Sequence, residues 1–509
     1  MGRRCQDIFA YRFALAAVAC IAGWVVNVTA QVISIDGRNE KRIELKECRL
    51  ESPTEGGSVA ARCGWLEVLE NRPQRGTSAS GRKIRLHVAV IPALRLQPAP
   101  DPLFILSGGP GQAASDYYTT MSAAFGRIRR DRDIVLVDQR GTGRSNRLDC
   151  AFDEDTDFGS SDPQRLQEQA RNCIAAMPGD PRYYTTSVAV RDLDEVRQGL
   201  GYASVNFYAI SYGTRVAQHF IRRYPDRVRS AILDGVVPVD LALGPDIPLQ
   251  AQRALDALFD RCAGDVACRS RFPTLRDDFN ALRERLHAAP VKMQIPDPLT
   301  AKMTNASFGI PELSTAVRLL SYSDETASVL PLLIHQAEVD RQPQGMLAQY
   351  LMISHSLETQ IANGMHFAVT CSEDSRRWAE QPVDAKAAQK LYLGSALMNG
   401  MSAICSVWPR GPVDKDFNVP LHSDVPALLL SGENDPVTPA AYGARAVTGF
   451  THGRHIVLPG QGHGQLAAGC MPRLVAQFIE QKALGEGDLE CTKNVAPAPF
   501  MLSTTATGP

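Results

Sequence analysis

NFYAISYGTRVAQ, residues 206–218, sets an apolar run directly before a serine and a helix-like run directly after it. Ser211 has Ala209 two positions before it and Gly213 two positions after it. A serine lifted on a strained strand-to-helix turn needs tiny residues at those two places, because larger side chains would collide there. Alanine in place of a first glycine adds one methyl group. The five-residue pattern alone is weak, since small residues flank serines by chance in a chain of this length, and a serine that merely closes a strand looks the same. The flanks decide it. Residues 207–210 are a short strand-like run, and Val216, Ala217, Phe220 and Ile221 recur at helical spacing before Pro225 ends the run.

Outward from this stretch the texture repeats. PLFILSGGPG (102–111), DIVLVDQRGTGRS (133–145), VNFYAISYG (205–213) and SAILDGVVP (230–238) are all buried-strand runs that open into a loop. VAVRDLDEVRQGLGY (188–202) supplies amphipathic helix between two of them and ends at Gly201. Continuous apolar strands alternating with helices predict an α/β fold: a mostly parallel sheet covered by helices on both faces. Upstream, KIRLHVAVI (83–91) alternates like a half-exposed strand. From about 239 to 402 strand signals fade into helical runs such as QAQRALDALFDRCAG (250–264) and SVLPLLIHQAEVDRQ (328–342). Strand texture returns at VPALLLSGENDPVTP (425–439) and GRHIVLPGQGHG (453–464). The expected plan is therefore a core over 31–238, an inserted mainly helical cap over 239–402, completion of the core over 403–495 and a polar tail over 496–509.

The remaining segment, 1–30, carries Arg3, Arg4 and Arg12 around an apolar stretch and ends in VTA at Ala30. Small residues there suit an export peptidase, so an export signal is expected, with no stable membrane association after cleavage. A retained anchor is the alternative. Beyond that segment lie ten of the 12 cysteines, an even set that reads as disulfides in an oxidising compartment, most simply paired in sequence order. CxxC pairs and HExxH are absent and the 10 histidines are scattered, so neither metal nor cofactor is expected. A formal net charge of -1 without long runs of one sign gives no footprint for nucleic acid.

A serine hydroxyl attacks only when a base takes its proton and fixed donors receive the oxyanion. The glycine loop 107–111 offers the N–H of Gly109, and the N–H of Tyr212 follows the serine. An acid and a histidine are required in the order Ser, Asp, His. Asp435 and His463 stand in the loops after two successive strand runs, on the sheet edge that would also carry Ser211. Either could be only a turn residue; four features in the required order argue for a triad.

With these residues in hand the chain resembles the α/β-hydrolase fold exopeptidases that group prolyl iminopeptidases with secreted tripeptidyl aminopeptidases. The landmarks are GGPG (108–111), DQRGTGRS (138–145), SYGT (211–214), LDGVVP (233–238), GENDPVTP (432–439) and GHG (462–464). The C-terminal part looks like that of the tripeptidyl aminopeptidase branch. Two departures stand out: Ser107 where the family often has histidine, and Ala209 where it usually has glycine. The resemblance implies an acyl-enzyme mechanism in which Ser211 attacks, His463 moves the proton and Asp435 orients the histidine. It also implies a peptide substrate with a free N-terminus and a cap carboxylate to pair with that ammonium, for which Glu373 and Asp374 are the candidates. A solvated acidic turn is the plain alternative for those two. An esterase or lipase on the same fold is the main rival reading, and a non-catalytic binding protein a weaker one.

Overall fold

The computed structural model describes residues 42–53, 57–72, 81–150, 152, 162–380 and 385–504. The chain divides into two units, Met1–Glu40 and Lys41–Pro509. The first lies outside the described residues, and with it the expected export signal and its cleavage near Ala30. Among the described residues no helix is long and apolar enough to cross a membrane.

The second unit is built on a nine-stranded sheet in the order β1-β2-β3-β5-β4-β6-β7-β10-β11. Its strands are β1 (Lys46–Glu51), β2 (Ser58–Leu69), β3 (Lys83–Ile91), β4 (Leu103–Leu106), β5 (Ile134–Val137), β6 (Val205–Ile210), β7 (Val228–Asp234), β10 (Ala427–Gly432) and β11 (Gly453–Leu458). The first three pairs of neighbours, β1 with β2, β2 with β3 and β3 with β5, are antiparallel, and from β5 to β11 every pair is parallel. Every residue of β4, β5 and β6 is buried. Their side chains feed two cores, one on each face: Phe104, Val135 and Phe207 on one, Ile105, Leu136 and Tyr208 on the other. A strand covered on both sides has no polar face to show, which is why LFIL and IVLV read as unbroken apolar runs.

Three sequence expectations change here. β3 is buried from Leu86 onward rather than half-exposed, because it lies between β2 and β5 and under packed side chains. The helical stretch between β7 and β10 also contains an antiparallel hairpin, β8 (Val291–Pro296) with β9 (Met303–Phe308), whose mostly exposed alternation left a faint signal. That stretch has its own core, including Leu255, Phe279, Leu282 and Val317. The polar tail is also docked where described. Phe500 lies 3.9 Å under the Arg261 guanidinium, and Met501 N–H donates to Ser328.

The ten cysteines pair in sequence order: Cys48–Cys63, Cys150–Cys173, Cys262–Cys268, Cys371–Cys405 and Cys470–Cys491. The site follows from the strand order. The chain passes from β4 to β5 on one side and then to β6 on the other, so the loops after β4 and β6 diverge and leave a crevice at the strand C-termini.

Candidate active site

The loops that meet at this crevice carry Gly108 and Gly109 after β4, Ser211 after β6, Gly235 after β7, Asp435 after β10 and His463 after β11. Ser211 sits at φ 56°, ψ −127°, a left-handed-side conformation that costs a residue with a Cβ of the order of 1–3 kcal/mol. The turn is held from three sides. Ser211 N–H donates to the Asp234 carbonyl at 2.9 Å, and the Ser211 carbonyl receives both the N–H and the hydroxyl of Thr214 at 2.9 and 2.6 Å. Gly213 is obligatory, since a Cβ there would overlap the Leu106 carbonyl. Ala209 is not strained in this way: it lies within β6, paired with Leu106 and Leu233, and its methyl is fully buried in the core. The departure from glycine is thus absorbed by strand packing.

Gly108 is the glycine that approaches the serine, and a Cβ on it would stand 2.9 Å from that of Ser211. Gly109 follows at φ 105°. Among the described residues no acceptor takes the N–H of Gly109 or of Tyr212, which leaves both expected oxyanion donors uncommitted.

Asp435 is completely buried. Its Oδ1 accepts from the N–H groups of Val437 and Thr438 at 2.9 and 2.8 Å, while Oδ2 receives the Thr438 hydroxyl and faces His463 Nδ1, both at 2.7 Å. Nδ1 therefore carries the proton, and Nε2 keeps its lone pair. Burial works against protonating His463, but the adjacent Asp435 carboxylate outweighs it and the imidazole is held above its ordinary value of 6.5. Tyr322 closes one side of the ring, edge-on at 5.3 Å, and its carbonyl accepts the His463 N–H. Gly235 closes another. Beyond the histidine, Gly464 abuts Ile210, which brings the loop against the residue preceding Ser211.

Asp234, at the end of β7, secures the histidine loop from below. Its carboxylate accepts from Gln465 N–H at 2.8 Å, Leu466 N–H at 3.1 Å and the Tyr208 hydroxyl at 2.8 Å. Burial still pushes it up to about 6 against those bonds. The DQRG segment is architecture. Asp138 receives Ser115 and His87, and Arg140 grips Asp192 through two nitrogens at 2.6 and 2.9 Å.

Glu373 and Asp374 are both buried, not in a solvated turn. Asp374 faces Arg215 at 2.9 Å and also accepts from Leu243 N–H. Glu373 holds Thr186 through its N–H and hydroxyl, and that hydroxyl meets the Tyr212 hydroxyl at 2.7 Å. Burial pushes the Glu373 carboxyl up to about 7, with Arg215 opposing the rise.

Thr438, Gly235, Tyr322 and Asp234 went unnoticed in the sequence. Only Gly235 had a readable signal, a glycine fixed directly after the strand end in LDGVVP. It adopts φ 61°, and a Cβ on it would lie 2.8 Å from His463 Cε1. Gly235→Ala is therefore expected to displace the imidazole and lower kcat about 100-fold, with a stability loss of about 1–3 kcal/mol. Steady-state kinetics beside a thermal melt measure the two effects separately; unchanged kcat would mean that this glycine does not set the position of the ring.

Residues 101–467 match the alpha/beta hydrolase fold family. The chain is also similar, at 25% identity, to serine protease Hip1 of Mycobacterium tuberculosis (strain ATCC 25618 / H37Rv), over 84% of this chain and 86% of the relative. At 23% identity it is similar to tripeptidyl aminopeptidase of Streptomyces coelicolor, over 86% of this chain and 84% of the relative. With the match running through the glycine loop, the serine elbow and both later loops, the chain belongs to the alpha/beta hydrolase fold family and is a serine hydrolase within it.

Proposed function

We propose that this chain is an exported serine exopeptidase that releases short N-terminal fragments, tripeptidyl or prolyl, from peptides with a free N-terminus. The observation that carries the reading is the 2.7 Å contact between His463 Nδ1 and Asp435, in the loop beside an elbow serine. In this reading His463 Nε2 takes the Ser211 proton as the hydroxyl oxygen attacks the scissile carbonyl. The N–H groups of Gly109 and Tyr212 receive the oxyanion. The imidazolium then protonates the leaving amine, the C–N bond breaks, and water activated by the same nitrogen hydrolyses the acyl-enzyme. The names of the two relatives favour a peptide bond as target, and five disulfides suit an oxidising compartment outside the cytosol.

Substrate selection falls to the helical segment 239–402, read as a cap. Arg215 lies 2.9 Å from Asp374 and 3.9 Å from Glu373, so of the two acids Glu373, the less closely paired, is the one assigned to the substrate ammonium. Thr186 links it to Tyr212, the residue after the nucleophile, and a bound ammonium would favour its ionised form. A panel of aminoacyl, dipeptidyl and tripeptidyl p-nitroanilides with free and blocked amines, beside short-chain p-nitrophenyl esters, tests the reading. Cleavage of a free-amine peptide anilide is expected, with N-blocking costing about tenfold or more and Glu373→Gln erasing most of that difference. Ester hydrolysis with every anilide left intact would identify an esterase.

A further inference from the structure

Arg318 is half-buried and differs in its partners from several other arginines of this protein. Arg72, Arg132, Arg140, Arg197 and Arg215 each hold a carboxylate. Among the described residues Arg318 pairs with none. It lies in the last turn of the helix Ile310–Leu320, four residues before Tyr322, the ring that packs on the catalytic candidate His463. Its Nη2 donates to the Tyr322 hydroxyl at 3.0 Å, and its guanidinium carbon lies 5.7 Å from the Tyr322 ring centre. From that ring to the imidazole is a further 5.3 Å. Nε is buried with no hydrogen-bond partner.

A guanidinium cannot shed its proton, so burying its Nε without a partner costs hydration that nothing in the protein replaces. The charge also acts on the reaction centre, opposing protonation of both His463 and His366, the latter 3.3 Å from the Pro110 carbonyl of the glycine loop. An isolated cation beside a base that must become an imidazolium works against the chemistry unless the substrate brings an anion to cancel it. Planar, bidentate recognition by arginine selects carboxylates.

We propose that Arg318 binds a carboxylate of the substrate within about three residues of the scissile carbonyl, a reach set by an extended chain at about 3.3–3.6 Å per residue. The carboxylate is an Asp or Glu side chain near the bond, or the C-terminal carboxylate of a short peptide. This rests on the peptidase reading only for the kind of bond cut, not for the charge recognised. Because bound carboxylate neutralises a charge that disfavours the imidazolium, acidic substrates gain in kcat as well as in KM.

Matched substrate pairs test it: Asp against Asn placed in the released fragment, a free C-terminal carboxylate against its amide, and p-nitrophenyl hydrogen glutarate against the corresponding monoamide ester. The wild-type protein is expected to prefer the acid in at least one peptide pair by about 10- to 100-fold in kcat/KM. The side-chain and C-terminal pairs identify which carboxylate is read. In Arg318→Gln the acid-to-amide ratio falls to about one, and in Arg318→Lys part of it returns. The ratio is internal to each variant, so a general loss of activity does not mask it. Wild-type ratios near one in every pair, or a preference that persists in Arg318→Gln, overturn the proposal. If peptides are untouched but the ester pair shows an Arg318-dependent preference, the carboxylate site stands and the peptidase reading falls. If peptides are cut with no charge preference, the carboxylate site alone falls.

Discussion

Ser211→Ala is expected to lower kcat by roughly 10⁶-fold on any substrate the wild-type protein cleaves, while leaving the fold intact. The size follows from the role proposed for Ser211, forming the acyl-enzyme; what remains without it is binding and the proposed oxyanion donors. The fold is spared because the turn depends on backbone groups. The Asp234 carbonyl takes the Ser211 N–H, and Thr214 bonds to the Ser211 carbonyl rather than its hydroxyl. Alanine carries the same Cβ as serine, so the positive φ costs it no more, and a change in stability within about 0.5 kcal/mol is expected. Turnover of a tripeptide anilide and of a short ester, with a thermal melt of the same preparation, checks both halves. Residual activity near the wild-type level would remove Ser211 from the mechanism.

The elbow was legible because its geometry selects residue size at fixed offsets, and the sheet because strands buried on both faces lose their alternation. β4 and β5, LFIL and IVLV, carry that signature over only four residues each. The disulfides were legible because each joins cysteines adjacent in sequence order. The hairpin β8–β9 was not, since it lies outside the main sheet with most of its residues exposed or half-buried. Nor were the supports of the histidine. Asp234 and His463 lie far apart in the chain, and only the parallel pairing of β7, β10 and β11 brings their loops together. Glu373 and Asp374 read nearly as well as a solvated acidic turn; what sets them apart is Arg215, which reaches Asp374 from the helix Tyr212–Arg223.

Asp435→Asn is expected to cost about 10⁴-fold in kcat, nearly as severe a loss, although the residue never touches substrate. The cause is a tautomer. Val437 and Thr438 both donate backbone N–H groups to Oδ1, so an asparagine must turn its carbonyl oxygen toward them and its NH₂ toward His463. An NH₂ facing Nδ1 demands an acceptor there, which moves the imidazole proton to Nε2 and leaves no base for Ser211. Asp234 cannot stand in, because its oxygens are already taken by Gln465, Leu466 and Tyr208. The pH dependence separates this account from simple misfolding. His463 serves as base only when neutral, so wild-type kcat/KM on an uncharged ester falls as pH drops through a pKa held above 6.5 by Asp435. Without that carboxylate, burial dominates, the pKa drops, and the residual activity of the variant persists to lower pH. A loss below tenfold, or an acid limb that stays in place, would separate Asp435 from the imidazole it faces.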